Sequence, residues 1–285
     1  MVCRILFGIY LLQRYIYSTF APKKNKISKL NKAAMDKKLN NKVALVTGSS
    51  QGIGAGIAKA FAEHGATVVI NYATHPDRAD RLVQEITEKG GKAIKIQADI
   101  SSPDEIESLF EQTIAAFGRF DILVNNVGIL EFEMLENVTL TNLHKQINAN
   151  LIGTILSTQQ AVNRMNADEG GSIINISATT SINPMPGSLV FSATKAAIDN
   201  VTKTLAKELG PRNIRVNTLA PGMTETEGSH EKGFIGSEFE LQNRKNTPLG
   251  RIAKPDDIAK VAVFLASDDA AWVTGERIQV AGGAM

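Results

Sequence analysis

The chain has 285 residues, of which 43% are hydrophobic and 21% are charged, with a formal net charge of +2 at pH 7. These values are ordinary for a globular protein with a sizeable core, and one domain of this length is common among α/β folds. The single cysteine, Cys3, excludes an intrachain disulfide and suits a reducing compartment.

Positive charge is concentrated at the N-terminus, where residues 1–34 contain seven Lys or Arg and no acid. This segment carries a charge of +7, so with a net charge of +2 for the whole chain the remaining residues carry −5. They show no basic stripe of the kind that nucleic-acid binding requires. The apolar run at residues 5–12 has eight residues, whereas a membrane span needs about 20. We therefore predict no nucleic-acid partner and no membrane span.

Residues 1–40 differ in composition from the remainder and are predicted to form a disordered, basic extension. Two explanations stay open. Met35 is a natural start for the domain that follows, so the preceding stretch can be an upstream extension of a cytoplasmic protein. Alternatively, a basic, acid-free and partly amphipathic segment is typical of a mitochondrial presequence.

From residue 42 onward, short apolar runs alternate with helical patterns. In chain order, the predicted elements are strand 43–48, helix 54–65, strand 66–72, helix 77–91, strand 92–99, helix 101–118, strand 120–128, helix 140–165, strand 171–178, helix 188–209, strand 213–222, helix 254–268 and strand 275–283. Continuous apolar strands separated by helices predict a parallel sheet that is buried on both faces. We therefore predict that residues 41–285 form a single-domain, doubly wound Rossmann fold of class α/β, with about seven parallel strands and helices on both faces.

One long stretch, residues 223–247, has no clear periodicity. It follows the sixth predicted strand, at the sheet edge where doubly wound folds place ligand-covering loops. We expect it to form a mobile lid over the substrate.

The segment TGSSQGIG, residues 47–54, lies between the first predicted strand and the first predicted helix. Gly48 permits a tight turn, Gly52 removes a side chain where a phosphate must approach the backbone, and Gly54 allows the helix to pack close to the strand. The start of the helix then offers N–H groups to a pyrophosphate. This context predicts a dinucleotide site rather than a glycine-rich turn without a ligand.

Four further motifs follow along the chain: NNVG at 125–128, Asn150 within NANLIGT, FSATK at 191–195 and APGMTET at 220–226. In order and spacing, the five motifs resemble those of the classical short-chain dehydrogenase/reductases, over residues 41 to about 283. The resemblance is greatest to the branch of 3-oxoacyl-(acyl carrier protein) reductases and glucose dehydrogenases. It implies hydride transfer between a nicotinamide cofactor and a small-molecule carbonyl or alcohol substrate, and a homotetramer or homodimer.

The same resemblance implies a set of cofactor contacts and no metal. Asp99 would bond the adenine amino group, Asn126 and Gly128 would line the adenosine ribose side, and the segment up to Thr226 would hold the nicotinamide amide. From residue type alone, Asp99 can instead cap the next helix and Asn126 can stabilise a turn. The complete implied set is Gly48, Ser50, Gln51, Gly52, Ile53, Gly54, Asn71, Asp99, Ile100, Asn126, Gly128, Lys195, Pro221, Gly222, Thr224 and Thr226.

The end of the second predicted strand indicates which dinucleotide binds. An acid there would bond a ribose 2′-OH and favour NAD, whereas basic residues favour NADP. The strand closes with Asn71 and Tyr72, and His75 and Arg78 follow. Many family members have an arginine where this chain has Gln51. We expect NADP(H) in preference to NAD(H), with the alternative that Arg78 is a solvated helix residue.

Members of this family reduce a carbonyl with a tyrosine as proton donor, a lysine one turn later, a carbonyl-binding serine, and an asparagine that holds a water in a proton relay. Lys195 and Asn150 match the lysine and the asparagine. The serine and tyrosine positions hold Ala178 and Phe191, so both hydroxyls are absent.

Two hypotheses about activity follow. The protein is an oxidoreductase of weak or atypical activity, or it is a catalytically inactive relative that binds NADP(H) and acts as a partner subunit or sensor. A scaffold that binds no nucleotide is disfavoured by the retained glycine segment and by Lys195.

Overall fold

A sheet of seven parallel strands lies at the centre of the computed structural model, which describes residues 37–166 and 168–284. Its order is β3-β2-β1-β4-β5-β6-β7, and β1 and β4 are buried at every residue, as central strands covered on both faces must be. The strands are β1 (Val43–Val46), β2 (Thr67–Tyr72), β3 (Lys92–Gln97), β4 (Ile122–Asn125), β5 (Gly171–Ile176), β6 (Ile214–Pro221) and β7 (Arg277–Val280).

Helices connect the strands and cover the sheet on both sides. They are α1 (Gly52–Glu63), α2 (Pro76–Glu88), α3 (Pro103–Phe117), α4 (Leu140–Ile147), α5 (Gly153–Val162), α6 (Leu189–Leu209), α7 (Glu227–Glu231), α8 (Glu238–Asn246) and α9 (Pro255–Ala266). Helices α1, α2 and α9 share one buried cluster that contains Phe61 and Ile258, and α3, α5 and α6 share another that contains Phe110 and Leu209. The predicted single-domain, doubly wound α/β fold is confirmed.

The direction of the strand order reverses between β1 and β4. The chain moves outward from β1 through β2 to β3, and then returns to place β4 on the other side of β1. Leu45 pairs with Leu123 in parallel register, so the carboxyl ends of these two strands lie side by side. A crevice at such a reversal is where doubly wound folds bind ligands, and here the segments after β1 and β4 meet.

The packed chain begins slightly before the predicted boundary at residue 41. The unit that contains all of these elements starts at Lys38. Leu39 is fully buried, and its N–H donates to the His64 carbonyl at 3.0 Å. Of the predicted disordered extension, residues 1–40, only residues 37–40 are described. Residues 1–36, and with them the two explanations of their origin, lie outside the described residues. In the part of the chain that is described, no helix is both long and apolar enough to cross a membrane.

The stretch 223–247 has regular structure, in contrast to the absence of periodicity in its sequence, because it contains the short helices α7 and α8. The Thr226 side chain accepts from the Ser229 N–H at 3.1 Å, and the Ser229 hydroxyl accepts in return from the Thr226 N–H at 2.8 Å. Ser237 caps α8 through the Glu240 N–H. Caps rather than an apolar stripe start these helices, so a search for periodicity does not find them.

The prediction of one continuous helix over residues 140–165 is wrong, because the helix is interrupted. A wider π turn at Asn148–Ile152 separates α4 from α5. Gly153 follows directly, and a Cβ there would come within 2.3 Å of the Ile100 carbonyl oxygen. One wide turn barely changes the spacing of apolar residues, which is why the sequence predicts a continuous helix. Such turns occur frequently at functional sites, and this one contains Asn150.

Candidate active site

The backbone at two glycines shapes the loop between β1 and α1, which we call the glycine loop (residues 47–54). Gly48 and Gly52 have φ angles of +57° and +60°, in the left-handed region that favours glycine. The Gly52 N–H, the first of α1, donates to a carboxylate oxygen of Glu227 at 2.8 Å. The start of α1 therefore binds an anionic group within the protein itself, as a helix N-terminus favours.

Gly54 lies where α1 packs against the start of the glycine loop. A Cβ at this position would come within 2.6 Å of Asn126 Nδ2 and within 2.9 Å of both the Gly48 carbonyl oxygen and Ser49 Cα. Backbone atoms at that distance cannot give way cheaply, since protein interiors are close-packed. The packing therefore leaves no room for a side chain at position 54.

Two asparagines hold the glycine loop from the sheet side. Asn71 is 1% exposed, and its amide accepts from the Gly48 N–H at 3.0 Å and donates to the Ala98 carbonyl at 3.0 Å. Asn126 Nδ2 donates to the carbonyls of Thr47, at 2.9 Å, and Gly48, at 3.1 Å. Asn126 thus stabilises a turn, as its residue type allowed. Cofactor contacts by Asn71 and Asn126 stay predictions.

Asp99 is exposed just after β3. Its Oδ1 accepts from the N–H and from the hydroxyl of Ser101, both at 2.8 Å. The side chain therefore closes the turn that precedes α3, while the neighbouring Ile100 is buried in the core. Its contact with adenine stays a prediction.

Lys195 lies on α6 with its ammonium group buried. The residue is 3% exposed, and Nζ donates to the Ile176 carbonyl at 2.7 Å and lies 5.6 Å from the centre of the Phe191 ring. A Cβ at Gly128 would come within 3.1 Å of Nζ, so the segment after β4 passes directly beside the ammonium group. An ammonium group has three donors, which leaves capacity for ribose hydroxyls. The structure thus brings together Lys195, Phe191 and Gly128, three residues that the resemblance places in one site.

Burial lowers the pKa of Lys195 to about 8, and the carboxylate of Asp199 partly opposes the shift. In the unfolded chain the pKa is the ordinary one, near 10.5. Between these two values the unfolded state binds more protons than the folded state, so this residue makes the fold more stable as pH rises from 8 to 10.5. Relative to a Lys195→Met variant, the free energy of unfolding should rise by about 3 kcal/mol across that range. Urea unfolding at several pH values measures the difference, and a constant or falling difference would contradict the burial of a charged ammonium group.

Asn150 lies in the π turn and is 1% exposed. Its Oδ1 accepts from the Ile129 N–H at 2.7 Å, and its Nδ2 donates to the Ile129 carbonyl at 2.9 Å and to Thr194 Oγ1 at 3.2 Å. Asn150 therefore ties the segment after β4 to α6, one residue before Lys195. Both amide hydrogens are bonded within the protein, so a water relay through this side chain has only a remaining lone pair of Oδ1 to use. The relay stays a prediction.

The serines beside Ala178 and Phe191 do not replace the missing hydroxyls. Ser177 Oγ donates to the Lys195 carbonyl at 3.1 Å, and Ser192 Oγ bonds the serine hydroxyl one turn earlier on α6 at 2.7 Å. Both serines are buried. Their hydroxyl groups therefore stabilise the local structure around α6 and already have partners within the protein.

The segment after β6 approaches the glycine loop. A Cβ at Gly222 would lie 3.0 Å from Ala281 Cβ, and Thr224 Oγ1 donates to the Gly222 carbonyl at 3.0 Å. The Thr226 methyl carbon lies 3.4 Å from the Cβ position of Gly52. The last of the five motifs thus contacts the first.

Comparison with known proteins shows the family to which this chain belongs. A family model described as enoyl-(acyl carrier protein) reductase matches residues 48–285. A 3-oxoacyl-(acyl-carrier-protein) reductase of Aquifex aeolicus is 38% identical, over 87% of this chain and 99% of its own length. A short-chain dehydrogenase of Burkholderia cenocepacia, solved in complex with NADP, is 35% identical with a TM-score of 0.81, over 87% of this chain and 99% of that one. The chain belongs to the short-chain dehydrogenase/reductase family.

A further relative is more similar in sequence to this short-chain dehydrogenase/reductase. It is an uncharacterized oxidoreductase of Methylorubrum extorquens, 51% identical over 246 residues, which cover 86% of this chain and 98% of the relative. The resemblance that the five motifs indicated is thereby confirmed at the level of the family.

An ionic cluster next to the site is not evident from the sequence of this short-chain dehydrogenase/reductase. Arg277 Nε donates to Asp199 Oδ2 at 2.9 Å, and Arg277 Nη2 donates to the Ala178 carbonyl at 3.1 Å. Ser181 Oγ donates to the same Asp199 oxygen at 2.5 Å. The cluster fixes the backbone at Ala178. Its one signal in the sequence is the four-residue spacing of Lys195 and Asp199, which places them on one face of α6.

An aromatic cluster connects residues 223–247, the predicted lid (called the lid segment below), to the loop before α6. The rings of Phe132 and Phe234 lie 5.9 Å apart in an edge-to-face arrangement, and those of Phe234 and Phe239 lie 5.5 Å apart. Phe132 also contacts the position of Gly187, where a Cβ would meet its ring at 3.6 Å. In this short-chain dehydrogenase/reductase, the loop between α7 and α8 and the start of α8 are therefore held by side-chain stacking next to the segment that leads to Phe191.

Proposed function

We propose that the protein is an NADP(H)-dependent oxidoreductase that transfers hydride between the cofactor and a small carbonyl or alcohol compound, with slow or atypical chemistry. One observation carries the proposal. The ammonium group of Lys195 is buried beside Gly128 and near the face of the Phe191 ring. The lysine expected to bind the cofactor is thus in place, while the ring beside it has no hydroxyl to donate a proton.

The residues around the glycine loop fit a dinucleotide. The first N–H of α1 already bonds an anionic group, and the loop excludes side chains where a phosphate would approach. Gln51 Oε1 and Arg78 Nη1 are buried without a hydrogen-bond partner among the described residues. In this proposal the glycine loop would hold the pyrophosphate, Lys195 would bond the ribose hydroxyls, and Thr226 would hold the nicotinamide amide. When bound, the reduced nicotinamide supplies the hydride.

The preference for NADP(H) is supported by the charge that follows β2. Asn71 and Tyr72 provide no acid for a ribose 2′-OH, and Arg78 lies in the first turn of α2. The related Burkholderia cenocepacia enzyme was solved with NADP. A guanidinium group at this position would bond a 2′-phosphate through charge-assisted hydrogen bonds.

Lys195 can hold and release a proton close to neutral pH, since burial lowers its pKa to about 8. Because Phe191 has no hydroxyl, the proton for the product alkoxide comes, in this proposal, from Lys195 itself or from a water bonded to it. Neither source is held against the carbonyl as a side-chain hydroxyl would be, and loss of such positioning slows proton transfer. We therefore expect turnover that is measurable but slow.

A second candidate function is dinucleotide binding without turnover, in a partner subunit or a sensor. The observation that favours it is the paired loss of hydroxyls at Ala178 and Phe191. The two functions differ in whether hydride leaves bound NADPH when a carbonyl compound is added.

The test is binding of NADPH and NADH to the full-length protein by calorimetry, followed by turnover with a panel of small carbonyl compounds. We expect both dinucleotides to bind and NADPH to bind more tightly. Arg78→Ala should weaken NADPH binding about tenfold or more and leave NADH binding unchanged, because a hydrogen bond to a charged group contributes about 1.5–3 kcal/mol.

Arg81→Ala is the matched control, since Arg81 lies on the same helix and pairs with Asp77 on the exposed surface. If neither dinucleotide bound, the proposed function would be wrong. Equal losses for NADPH and NADH in Arg78→Ala would contradict the role of Arg78. Tight NADPH binding without any turnover would select the second candidate.

A further inference from the structure

The first N–H of α1 is bonded by a carboxylate from the lid segment. Glu227, the first residue of α7, accepts from the Gly52 N–H at 2.8 Å. The proposed function places the cofactor pyrophosphate on this N–H. A carboxylate and a phosphate are both anionic oxygen acceptors, so only one of them can bond this donor in good geometry.

A second carboxylate of α7 bonds the cation that follows β2. Glu231 Oε1 accepts from Arg78 Nη2 at 2.6 Å, and this pair raises the pKa of Arg78 and lowers that of Glu231. Glu227 and Glu231 are four residues apart and therefore lie on the same face of α7. The two acids contact the two positions where the dinucleotide would carry its pyrophosphate and its 2′-phosphate.

Both contacts are of a kind that a ligand can displace. Glu227 is exposed, and the Glu231 side chain is 54% exposed, so solvent competes for each carboxylate. Helix α7 has five residues and is too short to be stable by itself. Its start is held by the reciprocal bonds of Thr226 and Ser229, which leaves the side chains of Glu227 and Glu231 able to turn away.

We propose that Glu227 and Glu231 form an anionic latch that occupies the phosphate positions of the cofactor site, so that the dinucleotide binds only as α7 releases them. The inference rests on the proposed function. NADP(H) has to displace both carboxylates, whereas NAD(H) has to displace only Glu227. Glu231 is therefore a specificity-determining residue, because it weakens the binding of the phosphorylated dinucleotide alone.

The experiment compares NADPH and NADH affinities of the full-length protein with those of Glu227→Gln and Glu231→Gln. Glutamine keeps the size of the side chain and removes the charge. We expect Glu231→Gln to bind NADPH about three- to tenfold more tightly with NADH changed by less than about twofold, and Glu227→Gln to bind both about three- to tenfold more tightly.

Glu238→Gln is the matched control, because Glu238 is exposed at the start of α8 in the same lid segment and its loss changes the net charge equally. Its affinities should stay within about twofold of the native values. Tighter binding by all three variants would show a general effect of charge and would overturn the latch.

The remaining outcomes separate this inference from the proposed function. If the native protein binds NADPH and the two latch variants bind it equally well, the latch is wrong and the proposed function stands. Weaker NADH binding by Glu231→Gln would make this acid a ribose ligand and would also overturn the latch. If native and variant proteins bind neither dinucleotide, both proposals fail. Binding that appears only in the latch variants would support the latch, whereas the native protein would then lack the proposed function.

Discussion

An Ala178→Ser/Phe191→Tyr double variant is expected to reduce small carbonyl compounds with NADPH at least ~10²-fold faster than the native protein. The two changes restore a general acid and an oxyanion donor, each of which contributes about 10²-fold or more. A factor of this size corresponds to about 3 kcal/mol of transition-state stabilisation. Initial rates at saturating NADPH measure it directly.

The structure indicates why the restored groups should function. The Phe191 ring centre lies 5.6 Å from Lys195 Nζ, so a hydroxyl on that ring would be close to a cation that lowers its pKa. The backbone of Ala178 is fixed by Arg277 through its carbonyl. Ala178 and Phe191 are both only partly buried, which leaves room for one added oxygen at each position.

The two single variants, Ala178→Ser and Phe191→Tyr, and a control remote from the site test whether the gain in rate comes from these two positions. Because the two groups act in one step, their effects should not multiply, and either single variant is expected to recover only part of the gain. Phe264→Tyr adds the same hydroxyl to a ring that is 37% exposed on α9, and it should leave the rate unchanged. Equal rates for the native protein and the double variant would refute the assignment of positions 178 and 191.

Gly54→Ala is expected to weaken NADPH binding by about 10²-fold or more and to destabilise the fold by about 1–3 kcal/mol. The added Cβ would meet the Gly48 carbonyl oxygen at 2.9 Å and Asn126 Nδ2 at 2.6 Å. The loop must then move, and the first N–H of α1 moves with it. Calorimetric titration with NADPH and urea unfolding give the two quantities.

Gly210→Ala provides the control for the loss of a glycine. Gly210 has helical backbone angles, φ −52° and ψ −44°, and a Cβ there has no atom within 4 Å. This variant should bind NADPH as the native protein does and should unfold with equal or slightly higher stability. Unchanged NADPH affinity in Gly54→Ala would show that the glycine loop does not hold the cofactor.

The sheet and the helices on both faces were predictable from the sequence because burial on both faces requires continuous apolar strands. The ends of the elements were less predictable. The first strand, predicted to reach residue 48, stops at Val46, because the Gly48 backbone is already left-handed. Helices α7 and α8 escaped prediction because they depend on capping side chains and on the stacking of Phe132, Phe234 and Phe239.

The candidate site, like the fold, was predictable from the sequence only in part. The positions of Lys195 and Phe191 follow from motif spacing, since residues four apart share one face of a helix. The bonds of Asn71, Asn126 and Asn150 to the backbone do not follow from spacing. Each of these amides faces a segment that lies 21 or more residues away in the chain.

The sequence by itself determined which chemical groups the site can contain. It retains a lysine, an asparagine and a glycine loop, and it lacks hydroxyls at positions 178 and 191. Only the tertiary structure decided the state of those groups. Burial beside Gly128 lowers the pKa of Lys195 to about 8. The carboxylate on the first N–H of α1 comes from a residue 175 positions further along the chain. Residue type sets the available chemistry, whereas burial and long-range contacts arise only when distant segments pack together.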